Sequence, residues 1–226
     1  MEIDKQKICM KKLFFLLLPC CFFGQVSTKK EVPFTHKEFK NLVHYFSSKE
    51  EMKEYFSFKS GQIIADIGAG SGSYEGAISL LYDSLNFYVQ DIDSIYLNKK
   101  TFDKTIKHYS KLRGVAQTNT FSLCIGTAST SNWPDNYFDK IITFSTFHEF
   151  TFMSEMIADI FKKLKPGGKL YIADASCTKK GHRNYSPEEV TAMVKLQGFQ
   201  LIKMHLINTN YREPVYRAVF LKPELK

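Results

Sequence analysis

The sequence predicts an α/β protein: one doubly wound, mostly parallel sheet of seven strands, with helices on both faces and one reversed strand near an edge. Three observations carry this expectation. Short apolar runs alternate with segments of helical periodicity along most of the chain, and such repeated units close through right-handed crossovers into a parallel sheet. A turn holding three glycines follows the first of those runs, where a doubly wound sheet places its ligand crevice. The last two strands have no helix between them, and so short a connection permits only an antiparallel pair.

Taken in order, a polar linker at 25–33 leads to Thr35 and Glu38, the spacing of a capping box, and Phe39, Leu42, Val43 and Phe46 then recur at helical intervals. Ser48 with Glu51 starts a second short helix carrying Met52, Tyr55 and Phe56. Strands are expected at 63–67, 85–90, 121–125, 140–144, 169–173, 199–207 and 215–221, and helices at 74–82 and 95–109. Met153, Met156, Ile157, Ile160, Phe161 and Leu164 form the stripe of a helix covering a sheet, and Lys165-Pro166-Gly167-Gly168 stops it. Ser186-Pro187-Glu188-Glu189 combines an N-cap, a proline at the first helical position and a capping glutamate; Gly198 closes the helix so begun. Residues 34–59 therefore read as a helical segment ahead of a single sheet domain at 60–226.

With 44% hydrophobic and 24% charged residues, the 226-residue chain is too apolar to be disordered. Its net charge of +8 is spread without a run of Lys or Arg, so nucleic acid is permitted but not implied. The longest apolar run, 13–23, has 11 residues against the roughly 17 needed to span a bilayer, which excludes a polytopic membrane protein. Lys11 and Lys12 before that run and Gly24 after it give residues 1–24 the form of a signal peptide, a buried N-terminal helix being the alternative. Basic residues ahead of the run hold the N-terminus inside, so an extracytoplasmic location is expected, with the membrane met only through this segment if it stays uncleaved; a cytoplasmic chain is the alternative. Without residues 1–24 only Cys124 and Cys177 remain, on strands that are not neighbours, so neither a disulfide framework nor a metal site is expected.

Asp66-Ile67-Gly68-Ala69-Gly70-Ser71-Gly72 ends the first strand and opens a helix. A dinucleotide fingerprint begun at Gly68 requires glycine where Ser73 stands, and one begun at Gly70 requires it where Glu75 stands. No Lys-Ser or Lys-Thr follows, so a phosphate loop is excluded, while a tight turn without a ligand stays as the plain alternative. Asp91 ends the second strand about 20 residues beyond the turn, placed to accept hydrogen bonds from two ribose hydroxyls; Asp93 suits the N-cap of the next helix.

These residues resemble the class I S-adenosylmethionine-dependent methyltransferases, in their small-molecule branch. Residues 64–72 look like the family's first motif, and Asp91 looks like the acidic residue after its second strand. Phe138-Asp139-Lys140-Ile141-Ile142 is similar to the segment entering its fourth strand, and Leu164-Lys165-Pro166-Gly167-Gly168-Lys169-Leu170 to the turn into its fifth. Covering residues 60–222, the resemblance implies a Rossmann-like sheet of order 3-2-1-4-5-7-6 with strand 7 antiparallel. It also implies S-adenosylmethionine as cofactor, its methionine end held by Asp66 and the turn Gly68, Ala69, Gly70 and Gly72. Asp91 would then bind the ribose, Ile92 would pack on the adenine, and Thr127 and Ala128 would border it, Thr127 being uncharged where the family usually has an acid. Ser145 and Phe147 would border both cofactor and substrate, and the N-terminal helices with Phe34, Phe39, Tyr45 and Phe46 resemble a lid.

Methyl transfer from a sulfonium is an in-line displacement, so positioning supplies most of the catalysis and a protein base is optional. His148, beside Glu149 at the end of the fourth strand, is the candidate base, the alternative being that it caps the crevice or orients substrate; His182 and Tyr185 read as ordinary loop residues. Phe144-Ser145-Thr146-Phe147 lacks the Asn/Asp-Pro-Pro-aromatic motif of enzymes methylating base amines, and no Pro-Cys pair beyond residue 24 offers a cytosine nucleophile. A small-molecule acceptor follows. The competing expectation is a noncatalytic sensor or interaction module on the same fold, motivated by Thr127; a nicotinamide dehydrogenase ranks third.

Overall fold

The computed structural model describes residues 28–176, 184–209 and 212–224. Residues 1–24 (which the sequence presents as a signal peptide), Cys177 and His182 lie outside them. Strands β1 (Ile63–Ile67), β2 (Asn86–Asp91), β3 (Thr120–Ile125), β4 (Phe138–Phe144), β5 (Leu164–Ala175), β6 (Gln200–Thr209) and β7 (Arg212–Leu221) form one sheet of order β3-β2-β1-β4-β5-β7-β6. Every neighbouring pair is parallel except those of β7, which runs antiparallel to both β5 and β6, as expected. After β3 the chain returns to the far side of β1, which opens a crevice beyond the carboxyl ends of β1 and β4.

Among the described residues five α-helices accompany the strands: α1 (Lys49–Phe56), α2 (Ser73–Ser79), α3 (Lys99–Arg113), α4 (Met153–Lys163) and α5 (Pro187–Leu196). Alternation along β1 sends Ile64 to one face and Ala65 and Ile67 to the other, and two apolar cores result. On the second face α4 buries Met156, Ile157 and Ile160, part of the stripe that the sequence displays, and α5 buries Val190 and Val194. The first face is covered by α2, α3 and the N-terminal segment, whose Phe39, Leu42, Phe46, Met52 and Phe56 are buried. Lys140 on β4 reaches through this face to donate to the carbonyls of Phe56 and Ser57 at the end of α1, a cation at a helix C-terminus. Burial pulls its pKa down to about 8.

Local signals hold where they are chemical. Ser48 accepts from the Glu51 N–H, and Ser186 with Glu189 forms a complete reciprocal capping box. Three expectations need correction. Residues 35–46 do not form an α-helix: a 3-10 turn, Lys37–Phe39, is capped by His36 rather than Thr35, and successive turns carry the chain to Phe46. The aromatic side chains are buried in the sheet face all the same, so packing overrides the helical spacing. The third helix starts at Lys99 rather than 95, because the Asn98 side chain accepts from the Thr101 N–H. Asp93 caps no helix; it accepts from the Ile95 N–H in a local turn.

Candidate functional site

The glycine turn is bent onto the end of β2. The N–H groups of Gly68 and Ala69 donate to the Gln90 carbonyl at 2.9 and 3.0 Å, and the Gly70 N–H donates to Asp91 Oδ2 at 2.8 Å. Gly68, Gly70 and Gly72 all have positive φ, a conformation in which a side chain is strained. Their surroundings differ. A Cβ at Gly68 would strike the Thr146 side chain and one at Gly72 the Phe102 ring, whereas Gly70 has open space around it. Two of these glycines therefore serve packing, and Gly70 presents bare backbone.

Beside the turn lies a cleft of about 350 Å³ lined by Gly68, Asp91, Ile92, Thr127 and Ala128 from the expected set, together with Gln90, Tyr96, Thr146, Glu149 and Met156. Asp91 is half-buried and accepts from the Asp93 N–H as well as from Gly70, so both oxygens are held in place. Each carboxylate oxygen has a second lone pair for a hydroxyl donor. Ile92 is 60% exposed at the cleft wall, an apolar surface without a covering partner in the fold. The Thr127 hydroxyl accepts from the N–H groups of Ser129 and Thr130 and is built into its own turn.

Beneath the turn Asp66 and Glu75 are fully buried and hydrogen-bond to each other, two carboxyl groups held side by side away from water. Burial, the Glu75 charge and Asp91 push the Asp66 carboxyl well above the ordinary range. Glu75 is raised too, chiefly by burial. In the sequence Glu75 marks only the place where a dinucleotide motif requires glycine. Its full burial depends on how α2 packs.

Four elements meet at the other end of the crevice. Ser145, just past β4, has φ +54 and is exposed; its hydroxyl pairs with Tyr45 at 2.6 Å and with Tyr74 at 3.1 Å. A non-glycine residue in this left-handed conformation marks a place where neighbours hold the backbone. Tyr45 comes from the N-terminal segment and Tyr74 from the first turn of α2, and burial raises both phenols. His148 lies in the next turn, Phe147–Glu149, with Nδ1 2.9 Å from Asp174 on β5 and Nε2 3.0 Å from Glu149. The Asp174 hydrogen bond raises its pKa against the opposing effect of burial. Phe147 is fully buried and packs in the α4 face rather than bordering a ligand. Of the expected lid residues, Phe39 and Phe46 are core; Tyr45 alone of the four hydrogen-bonds to Ser145.

Residues 65–172 match the family model described as a methyltransferase domain. Those residues match a methyltransferase domain, and the order and sense of the seven strands are those of the methyltransferase Rossmann-like fold. Around that domain the chain is 28% identical over 152 residues, 67% of its length, to a phosphoethanolamine N-methyltransferase of Triticum aestivum. Over 146 residues it is 28% identical to the ubiquinone/menaquinone biosynthesis C-methyltransferase of Wigglesworthia glossinidia brevipalpis, covering 62% of this chain and 50% of that protein. The chain spans 27% of the length of the wheat protein. Among solved structures, phosphoethanolamine N-methyltransferase 2 of Haemonchus contortus, in complex with phosphomonomethylethanolamine and S-adenosylhomocysteine, superposes with a TM-score of 0.60 at 15% identity. That match covers 82% of this chain and 53% of the other. The methyltransferase domain thus has its glycine turn, Asp91 and adjoining cleft in one place, with Ser145 and His148 in a second cluster.

Among the described residues no group of three or more His, Cys, Asp or Glu side chains is placed to hold a metal, and no helix is long and apolar enough to cross a membrane. Cys124 is free, and β2, β1 and β4 separate its strand from β5.

Proposed function

We propose that the domain binds S-adenosylmethionine in the cleft beside the glycine turn and transfers its methyl group to a small-molecule acceptor at the Tyr45–His148 end. One observation carries this reading: the bare, left-handed Gly70 backbone stands beside an Asp91 carboxylate that two backbone N–H groups hold against an open cleft. The residues suit that cofactor. Asp91 fits ribose hydroxyls, and exposed Ile92 fits the face of an adenine. S-adenosylmethionine supplies a methyl group carried on a positively charged sulfur. The chain's own residues hold that group, fix the acceptor through Tyr45, Tyr74 and Ser145, and receive a proton if the acceptor must lose one.

Phosphoethanolamine is the first acceptor to try, because relatives of this chain carry it in their names. A carbon acceptor has the same kind of support. The noncatalytic reading draws on Thr127, whose hydroxyl is committed to its own turn. Incubating the protein with methyl-tritiated cofactor and a panel of amines, phenols and quinols separates the two. Specific label transfer that is lost in Gly70→Asp supports catalysis, and cofactor binding without transfer to any panel member supports the sensor. We also propose that residues 1–24 direct export; sequencing the N-terminus of the mature protein should find Gln25 first, and an intact cytosolic chain would refute it.

A further inference from the structure

His148 is evident in the sequence, but the group behind it is not. Asp174 is buried near the end of β5 and reaches His148 only because β4 and β5 run side by side with Phe144 opposite Ala173. Its oxygens accept from the His148 N–H at 3.0 Å and the Ala175 N–H at 2.8 Å, and both lie 2.9 Å from Nδ1. An ionised carboxylate can only accept, so with Asp174 at Nδ1 and Glu149 at Nε2 both nitrogens carry a hydrogen; once Glu149 moves away, the fixed Asp174 keeps the hydrogen on Nδ1 and the lone pair of the neutral ring falls on Nε2. Nε2 contacts Glu149, whose side chain is 68% exposed and lines the same cleft as Gly68 and Asp91. A surface carboxylate of this kind can move aside for an acceptor, whereas Asp174 cannot.

We propose that Asp174 is a positioning residue that holds His148 in the tautomer able to take a proton from the methyl acceptor. This role rests on the methyl-transfer reading. The acceptor gives a proton to Nε2, the electron pair left on the acceptor atom forms the bond to the methyl carbon, and the carbon–sulfur bonding pair stays on sulfur. Asp174 balances the imidazolium charge and keeps its own charge. The acceptor class is thereby narrowed to groups with a proton to give up: an ammonium, a hydroxyl or an acidic carbon. Beside Asp174 and Glu149, the titratable groups at this end are Tyr45 from the N-terminal segment, Tyr74 from α2, Tyr185 before α5 and Tyr216 from β7.

Nitrogen-detected NMR of the His148 ring in the free wild-type protein reads the pairing directly. The neutral ring should be the Nδ1–H tautomer and should take up its second proton above the pH of free imidazole. In Asp174→Asn that pKa should fall and the tautomer should shift toward Nε2–H. With the acceptor found in the label-transfer panel, kcat should drop on the order of 10²–10⁴-fold with KM little changed. The acid limb of kcat, which requires the unprotonated ring, should move to lower pH. A wild-type ring in the Nε2–H form would overturn the proposal, as would a folded Asp174→Asn protein with unchanged kcat and pH profile. Failure of S-adenosylhomocysteine to bind bears on the methyl-transfer reading alone, because the ring titration needs no ligand.

Discussion

At the proposed nucleoside end of the crevice the geometry is carried by backbone: three left-handed glycines, successive N–H groups bent onto β2, and one carboxylate that accepts from two of the surrounding N–H groups. At the proposed acceptor end it is carried by side chains from four separate elements: Tyr45, Tyr74, Ser145 with His148, and Asp174. A backbone site needs particular residue types at fixed spacing within one stretch of chain. A side-chain site needs only that distant positions meet. The first end should therefore tolerate substitution poorly and serve a constant ligand, and the second can be altered residue by residue to suit an acceptor.

The strongest break in this contrast is at Gly68. Gly68→Val puts a branched side chain into a φ of +77 and against Thr146, so strain alone should cost about 1–3 kcal/mol of stability, read by thermal unfolding, and abolish cofactor binding. Asp91→Ala should leave the fold intact and weaken S-adenosylhomocysteine binding by about 1.5–3 kcal/mol, roughly 10- to 100-fold, by calorimetry. Tyr45→Phe removes the 2.6 Å bond to Ser145 and should raise the acceptor's KM by about 0.5–1.5 kcal/mol while leaving S-adenosylhomocysteine affinity as it was. Equal loss of both affinities in Tyr45→Phe would erase the distinction between the two ends.

The smallest effect concerns the segment that brings Tyr45 into place. Burial pushes the Glu51 carboxyl up, but the Ser47 N–H and hydroxyl and the Arg217 guanidinium outweigh it and hold the pKa at about 2. A carboxyl lowered in the folded state adds stability above its ordinary pKa and loses it as pH falls toward about 2. With 34% of the side chain facing water, the contribution should be under about 1 kcal/mol. Urea unfolding between pH 5 and pH 2 should show a shallower acid loss in Glu51→Gln than in wild type.

The same division explains what the sequence displays. A parallel sheet with one reversed strand follows from alternating elements and the helix-free connection between β6 and β7, its strand order is what the family resemblance implies, and the α4 stripe names its own buried face. The glycine turn and Asp91 are visible because their function is a spacing. Asp174 carries no such mark: within Tyr171-Ile172-Ala173-Asp174 it reads as the polar end of a strand, and its partner is 26 residues away. The 34–46 segment misleads for a related reason. Its aromatic residues recur at helical spacing, but the sheet face they fill holds them in a string of turns.

The central claim is that the cleft between the glycine turn and Ile92 is a binding site for the adenosyl cofactor, and its most direct test is calorimetric titration of S-adenosylhomocysteine into three proteins. Wild type should bind one equivalent, Tyr45→Phe should match it, and Asp91→Ala should bind at least tenfold more weakly, an increment of about 1.4 kcal/mol. No heat of binding at millimolar ligand would contradict the account, as would an Asp91→Ala protein that binds as tightly as wild type.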